Sequence, residues 1–182
     1  MSGLGHNNGP TMERGGSWRR YTWTRARAEL LPTLPIEVAR RRVRRAQELG
    51  IDYKSYAGIR AATGRDIVAL LFSSNALRLL RDSRIDAARS DRLASLRQVD
   101  FLALVHPPHD PARTASANPI LLAADRAPGL IETWSETRRR IHALKGGIPA
   151  DGIVVIGETH LERGWSETAR LAGYIAADRY FL

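Results

Sequence analysis

Three short apolar runs, residues 67–72 (IVALLF), 101–105 (FLALV) and 153–156 (IVVI), constrain this chain more than any other feature. Each has the length of a strand, and none alternates apolar with polar residues. Successive side chains of a strand point to opposite faces, so a strand with one wet face must alternate. An unbroken run marks a strand covered on both faces, as in a parallel sheet. Stretches with helical patterning lie at about 75–97, with a break near Ser83 as the alternative, 130–145 and 165–177. Strands alternating with helices give the α/β class: a small parallel sheet with flanking helices. The first run reads as a strand, with a helix capped by Asp66 and reaching Leu80 as the alternative. Three strands make a thin sheet, so a further strand or a partner chain is expected to complete it.

Composition narrows the classes. At 182 residues with 43% hydrophobic content, the chain can bury a core. It has no cysteine, which excludes disulfides, thiol catalysis and thiolate zinc sites. No run approaches the ~18 apolar residues of a membrane span, and the N-terminus lacks the apolar stretch of a secretory signal, so no membrane association and a cytoplasmic location are expected. Walker-type loops, dinucleotide glycine fingerprints and Gly-x-Ser-x-Gly elbows are missing from the sequence, which disfavours nucleotide-driven motors, standard dehydrogenases and α/β-hydrolase esterases. Three segments are expected: a flexible tail at 1–17, a basic helical segment at 18–64, and an α/β domain at 65–182.

The charge is uneven. Residues 1–60 hold twelve Lys and Arg against five acids, +7 of the total +9. Twenty-six of the 28 basic residues are Arg, which base composition alone can produce, so the distribution carries more weight than the total. Clustered Arg gains affinity for polyanions by releasing counterions. Around Trp18, Arg19, Arg20, Tyr21 and Trp23, aromatic and basic residues interleave, a composition that suits either stacking on nucleic-acid bases or docking on the domain. A helix follows at about 36–49, with Pro35 as its start signal and Gly50 as its stop signal. A shorter one runs from about 53 to 62 and ends at Gly64. Together, with Ala46 at a close approach, Gly50 in the turn, and Leu49, Ile51, Tyr56 and Ile59 at apolar positions, residues 42–61 resemble a helix-turn-helix DNA-binding segment. Arg45 departs from that pattern, which wants an apolar residue there; Gly58 weakens the second helix; and Asp52 at its start would repel phosphate. The resemblance implies that Tyr53, Lys54, Ser55 and Arg60 face DNA while Arg41, Arg42, Arg44 and Arg45 contact phosphates; Arg19 and Arg20 are candidate phosphate contacts from the interleaving of aromatic and basic residues. An ordinary helical hairpin explains the same spacing.

Ligands of parallel α/β sheets bind outside the carboxyl ends of the strands. After the first run comes Ser73-Ser74-Asn75, a candidate anion site or a set of helix caps. The second run is followed by His106-Pro107-Pro108-His109-Asp110, and the third by Gly157-Glu158-Thr159-His160-Leu161-Glu162. Three of the five histidines fall in these two loops. His106, His109, Asp110, Glu158 and His160 are candidate acid–base groups, because histidine titrates near neutral pH. His106, His109, Asp110 and His160 are also candidate ligands of a divalent metal, the one cofactor suggested. Capping and loop-stiffening roles account for the same residues. The loop 111–119 reads as a lid or mobile segment, and Trp134, Trp165 and Tyr174 are expected to pack. Terminal Tyr180-Phe181-Leu182 is expected to dock on the core or on a second subunit.

Three functions follow. The first is a nucleic-acid-binding protein, regulatory or mobile-element-associated, with DNA or RNA as partner. The second is an α/β metal-dependent or His/acid hydrolase of a phosphorylated or nucleic-acid substrate. A structural component of a larger assembly is the third.

Overall fold

The apolar runs become the three central strands of a five-stranded, all-parallel sheet. The computed structural model describes residues 34–182, of which 40–182 pack as one compact unit. In chain order the elements are α1 (Ile36–Glu48), α2 (Tyr53–Thr63), β1 (Ala69–Ser73), α3 (Ala87–Ser95), β2 (Asp100–Val105), α4 (Pro111–Ala117), β3 (Ala123–Arg126), α5 (Trp134–Lys145), β4 (Ile153–Gly157), α6 (His160–Thr168), β5 (Gly173–Ala176) and α7 (Ala177–Tyr180). The strand order is β3-β2-β1-β4-β5. In register, Leu71 of β1 lies between Leu102 of β2 and Val155 of β4.

Every residue of β1 and β4 is buried, yet the two faces serve different cores. Leu70, Phe72, Phe101, Ala103, Val105, Val154 and Ile156 meet Ala46, Leu49, Tyr56, Leu93 and Tyr180 on one side. Ala69, Leu71, Leu102, Leu104, Ile153 and Val155 meet Ile141 and Trp165 on the other. Two-sided burial is why the runs do not alternate.

The completing strands are β3 and β5, at the two edges. Their sequences, Ala-Ala-Asp-Arg and Gly-Tyr-Ile-Ala, are only four residues long and mostly half-buried, so they do not carry the long unbroken runs of the central strands. Helix boundaries shift more. The expected helix at 75–97 is a helix only over α3. Before it, the Asn118 side chain accepts from the Ile85 N–H and donates to the Ser83 carbonyl, pinning 83–85 as a loop, and Arg78 and Ser83 take positive φ. The expected lid at 111–119 is instead largely α4, started by Pro111 and capped by Asp110. Where one helix was expected over 165–177, α6 begins earlier, ends before Arg170 (φ 53°), and gives way to β5. Trp134 does not pack: it is 75% exposed at the first position of α5, whose buried stripe starts one turn later at Thr137 and Ile141.

Of the three terminal residues, Tyr180 and Phe181 dock on the chain's own core, while Leu182 is 91% exposed. Tyr180 is buried and its hydroxyl donates to the Leu49 carbonyl at 3.0 Å, while the Phe72 ring meets Tyr180 and Phe181 at 5.8 and 6.0 Å. The α1–α2 hairpin belongs to the same core through Ala46, Leu49, Ile51 and Tyr56. Its turn needs Gly50, which has φ 65° and lies so close to Leu96 that an added Cβ would sit 2.9 Å from Cδ2. Among the described residues no helix is long and apolar enough to cross a membrane.

Candidate functional site

The chain leaves β3 at one edge and re-enters the sheet at β4, on the far side of β1. That reversal opens a crevice between the carboxyl ends of β1 and β4, the place where open α/β sheets bind ligands. The segments that follow β1, β2 and β4 converge there.

Glu162 lies at the centre and is fully buried. It is the third residue of α6, so its carboxylate folds back onto the helix start. Oε2 accepts from the backbone N–H of Thr159 at 2.9 Å and from that of Glu158. Thr159 returns the bond to the Glu162 N–H, completing a capping box. Oε1 accepts from Asn75 Nδ2 at 2.8 Å and faces His106 Nε2 at 3.1 Å. Burial pushes the Glu162 carboxyl up, but the bonds from His106, the Thr159 and Glu158 amides and Ser73 outweigh it and hold the group down to about 2.

An ionised carboxylate can only accept, so the His106 nitrogen that faces it, Nε2, is one that carries a proton. The ring also stacks on buried Trp165, with centroids 5.7 Å apart, and the His106 N–H is tied to Ser74 Oγ at 3.0 Å. Its position is thus fixed, and the side chain remains about a quarter exposed. It borders a cavity of about 300 Å³ lined by Ser74, Asn75, Arg78, Leu79, Pro107, Pro108, His109 and Glu158.

Of the five acid–base candidates, His106, His109 and Glu158 share this cavity. Asp110 does not line it, and its carboxylate caps α4 by accepting from the Arg113 N–H. His160 is an exposed residue on the first turn of α6. Among the described residues no three His, Asp or Glu come together as a group that could hold a metal ion, so His106, His109, Asp110 and His160 are not gathered into one ligand set. Ser73 and Ser74 turn inward. The Ser73 oxygen accepts from the Ala76 N–H and the Ser74 oxygen from the His106 N–H. The anion that this turn holds is the protein's own Glu162, through Asn75. The expected helix after Ser73-Ser74-Asn75 is a series of turns, so it offers no helix end to an outside anion.

Glu162, Arg78 and Arg89 were not singled out as site residues in the sequence. For Glu162 a signal existed: Thr159-x-x-Glu162 is a capping-box spacing. Nothing local marks the two arginines, which are brought in by the turns after β1.

The basic helical segment divides in the same way. Arg19 and Arg20 lie outside the described residues. Arg41, Arg44, Tyr53 and Lys54 are exposed, while Arg42 and Ser55 are half-buried. Arg45 is committed elsewhere: its guanidinium reaches Asp66 at 3.0 Å, Glu48 at 3.2 Å and the carbonyls of Ile67 and Gln98 at 2.9 and 3.0 Å. Arg60 sits 3.6 Å from Asp66. Asp52 caps α2 and pairs with Arg179 at 3.1 Å. The chain matches no protein-family model, no curated protein and no solved structure.

Proposed function

We propose that the protein is an α/β hydrolase of the His/acid type, working in the crevice between β1 and β4. The observation that carries this reading is the His106–Glu162 pair: a fully buried carboxylate, held ionised, orients an imidazole whose free nitrogen belongs to a side chain bordering the cavity. A purely structural carboxylate would be satisfied by the capping box; here one oxygen is reserved for Asn75 and His106.

His106 Nδ1 removes a proton from a water molecule as the water oxygen attacks the substrate's electrophilic centre. The imidazolium that forms keeps its Nε2–H on Glu162, whose negative charge stabilises it. The same proton then passes from Nδ1 to the departing oxygen, so the histidine ends neutral. His109, on the same cavity wall with Nδ1 3.5 Å from Ser83 Oγ, is placed to contact substrate.

Two measurements test this. The ¹⁵N shifts of the His106 ring at neutral pH should report the Nε2–H tautomer; an Nδ1–H tautomer would sink the mechanism. On a panel of chromogenic phosphate and carboxylate esters, His106→Gln should lose about 10²–10⁴-fold in turnover, the usual worth of a positioned acid–base group.

A second reading, binding of DNA or RNA, draws support from the exposed Arg41 and Arg44 on α1 and from the pairing of Asp52 with Arg179, which offsets the acid expected to repel phosphate. It uses a different surface from the crevice and does not compete with the first.

A further inference from the structure

We propose that the crevice contains an anion subsite built from Arg89 and Arg78, and that the compound it takes carries a phosphoryl group. The inference rests on the hydrolase reading and names its substrate class.

Arg89, on α3, is 7% exposed, and its buried Nη1 has no hydrogen-bond partner. Burying a guanidinium is costly unless its donors are used, so an orphaned donor there calls for an acceptor. The Phe181 ring covers one face of the guanidinium, 4.4 Å from its central carbon, and fixes its plane. The nearest acid is Glu158, at 3.8 Å, too far for a hydrogen bond. Glu158 itself lines the cavity, as does Arg78, while Arg89 does not; Glu158 is the lining residue paired with Arg89.

Burial lowers the Arg89 pKa, with the charge of Arg78 acting in the same direction and Glu158 and Asp86 in the opposite one. Glu158 brings one negative charge and leaves Nη1 without a bond. A phosphate monoester brings close to two charges and three acceptor oxygens, and guanidinium forks match its geometry. Glu158 is more than a third exposed and sits on a loop, so it can swing aside as the phosphoryl group arrives. It therefore acts as an internal competitor that holds the subsite when no ligand is bound.

The test is calorimetric titration of the full chain with inorganic phosphate, and with acetate as a singly charged control. Wild type should bind one phosphate saturably, and acetate at least about tenfold more weakly. Arg78→Ala should weaken phosphate binding about tenfold or more, the scale of one lost charge-assisted bond. Glu158→Gln should tighten it severalfold, because the competing carboxylate is gone. Both positions are exposed, so neither variant threatens folding. Arg139→Ala, on the exposed face of α5, should bind as wild type and controls for the general positive charge. No saturable phosphate binding, unchanged binding in Arg78→Ala, or weaker binding in Glu158→Gln overturns the proposal. His106→Gln separates the two ideas. If it retains hydrolysis while phosphate binds as described, the acid–base reading fails and the subsite stands. If hydrolysis depends on His106 but phosphate does not bind, the subsite alone fails.

Discussion

Glu162 is at once a helix cap, the partner of a histidine and the most strongly stabilised carboxylate of the crevice, and its energetics follow from those bonds. Its pKa is about 2 in the folded chain against 4.5 ordinarily, because hydrogen bonds outweigh burial. A depressed folded pKa means that the stabilisation is complete above about pH 4.5 and is lost as pH falls through about 2. Denaturant unfolding from pH 7 down to 2.5 should therefore show a decline in wild type that is reduced in Glu162→Gln; parallel pH profiles would remove the carboxylate from the account. Asp52 and Glu136 are also lowered, by bonds from their own helix caps, so the difference between the two proteins is the quantity that isolates Glu162. Gly157 offers a second probe. A Cβ there would lie 2.8 Å from Glu162 Oε2, 2.9 Å from its Cβ and 3.0 Å from the Tyr174 ring. Gly157→Ala should cost about 1–3 kcal/mol by overpacking and should shift the His106 ring resonances, since Glu162 must move. Destabilisation with unchanged His106 resonances would mean that Tyr174 yields instead.

At the scale of elements, what could be read from the sequence depended on whether the cause was local. The three central strands were legible because two-sided burial forces unbroken apolar runs. The α1–α2 hairpin was legible because Pro35, Gly50 and Gly64 punctuate it, and because Ala46 and Leu49 before the turn, and Tyr56 and Ile59 after it, stand three residues apart. Strands β3 and β5 were not, since half-covered edges demand little of four residues. A break near Ser83 is open to a sequence reading, but the path of 83–85 is decided by a distant side chain, Asn118. In the crevice, His106, His109 and Glu158 could be found from their place after strands, whereas Arg89 could not, because its meeting with Glu158 is set by how α3 packs. Arg45 is the most instructive case. The helix-turn-helix pattern wants an apolar residue there, and the hairpin instead uses a guanidinium to fasten α1 to the segments that lead into β1 and β2. Arg45→Leu should therefore cost about 1–3 kcal/mol, the penalty for leaving several polar partners unmet. A neutral or stabilising result in denaturant unfolding would show that the apolar preference governs this hairpin after all.

For the whole molecule, the position of that clamp separates the two proposed functions. Ile67, Gln98 and Asp66 precede β1 and β2, so α1 is fastened near the amino ends of the strands. The crevice lies at their carboxyl ends. Strands of five and six residues stand between the two surfaces, about 17–20 Å at ~3.3 Å per residue. One phosphate cannot touch both, and a mononucleotide-sized ligand cannot bridge them. Nucleic acid held by α1 should therefore show the signature of backbone contact alone. Its affinity should fall with salt, and replacing both Arg41 and Arg44 with Glu should flatten the log–log dependence by roughly two contacts, about 0.9 per phosphate for duplex DNA. The same binding should be indifferent to His106→Gln and to Arg78→Ala. Inorganic phosphate at concentrations that fill the crevice should not displace a short duplex beyond its effect on ionic strength. Specific displacement, or loss of duplex binding in Arg78→Ala, would join the two surfaces into one nucleic-acid site; salt-insensitive binding would remove α1 from the contact.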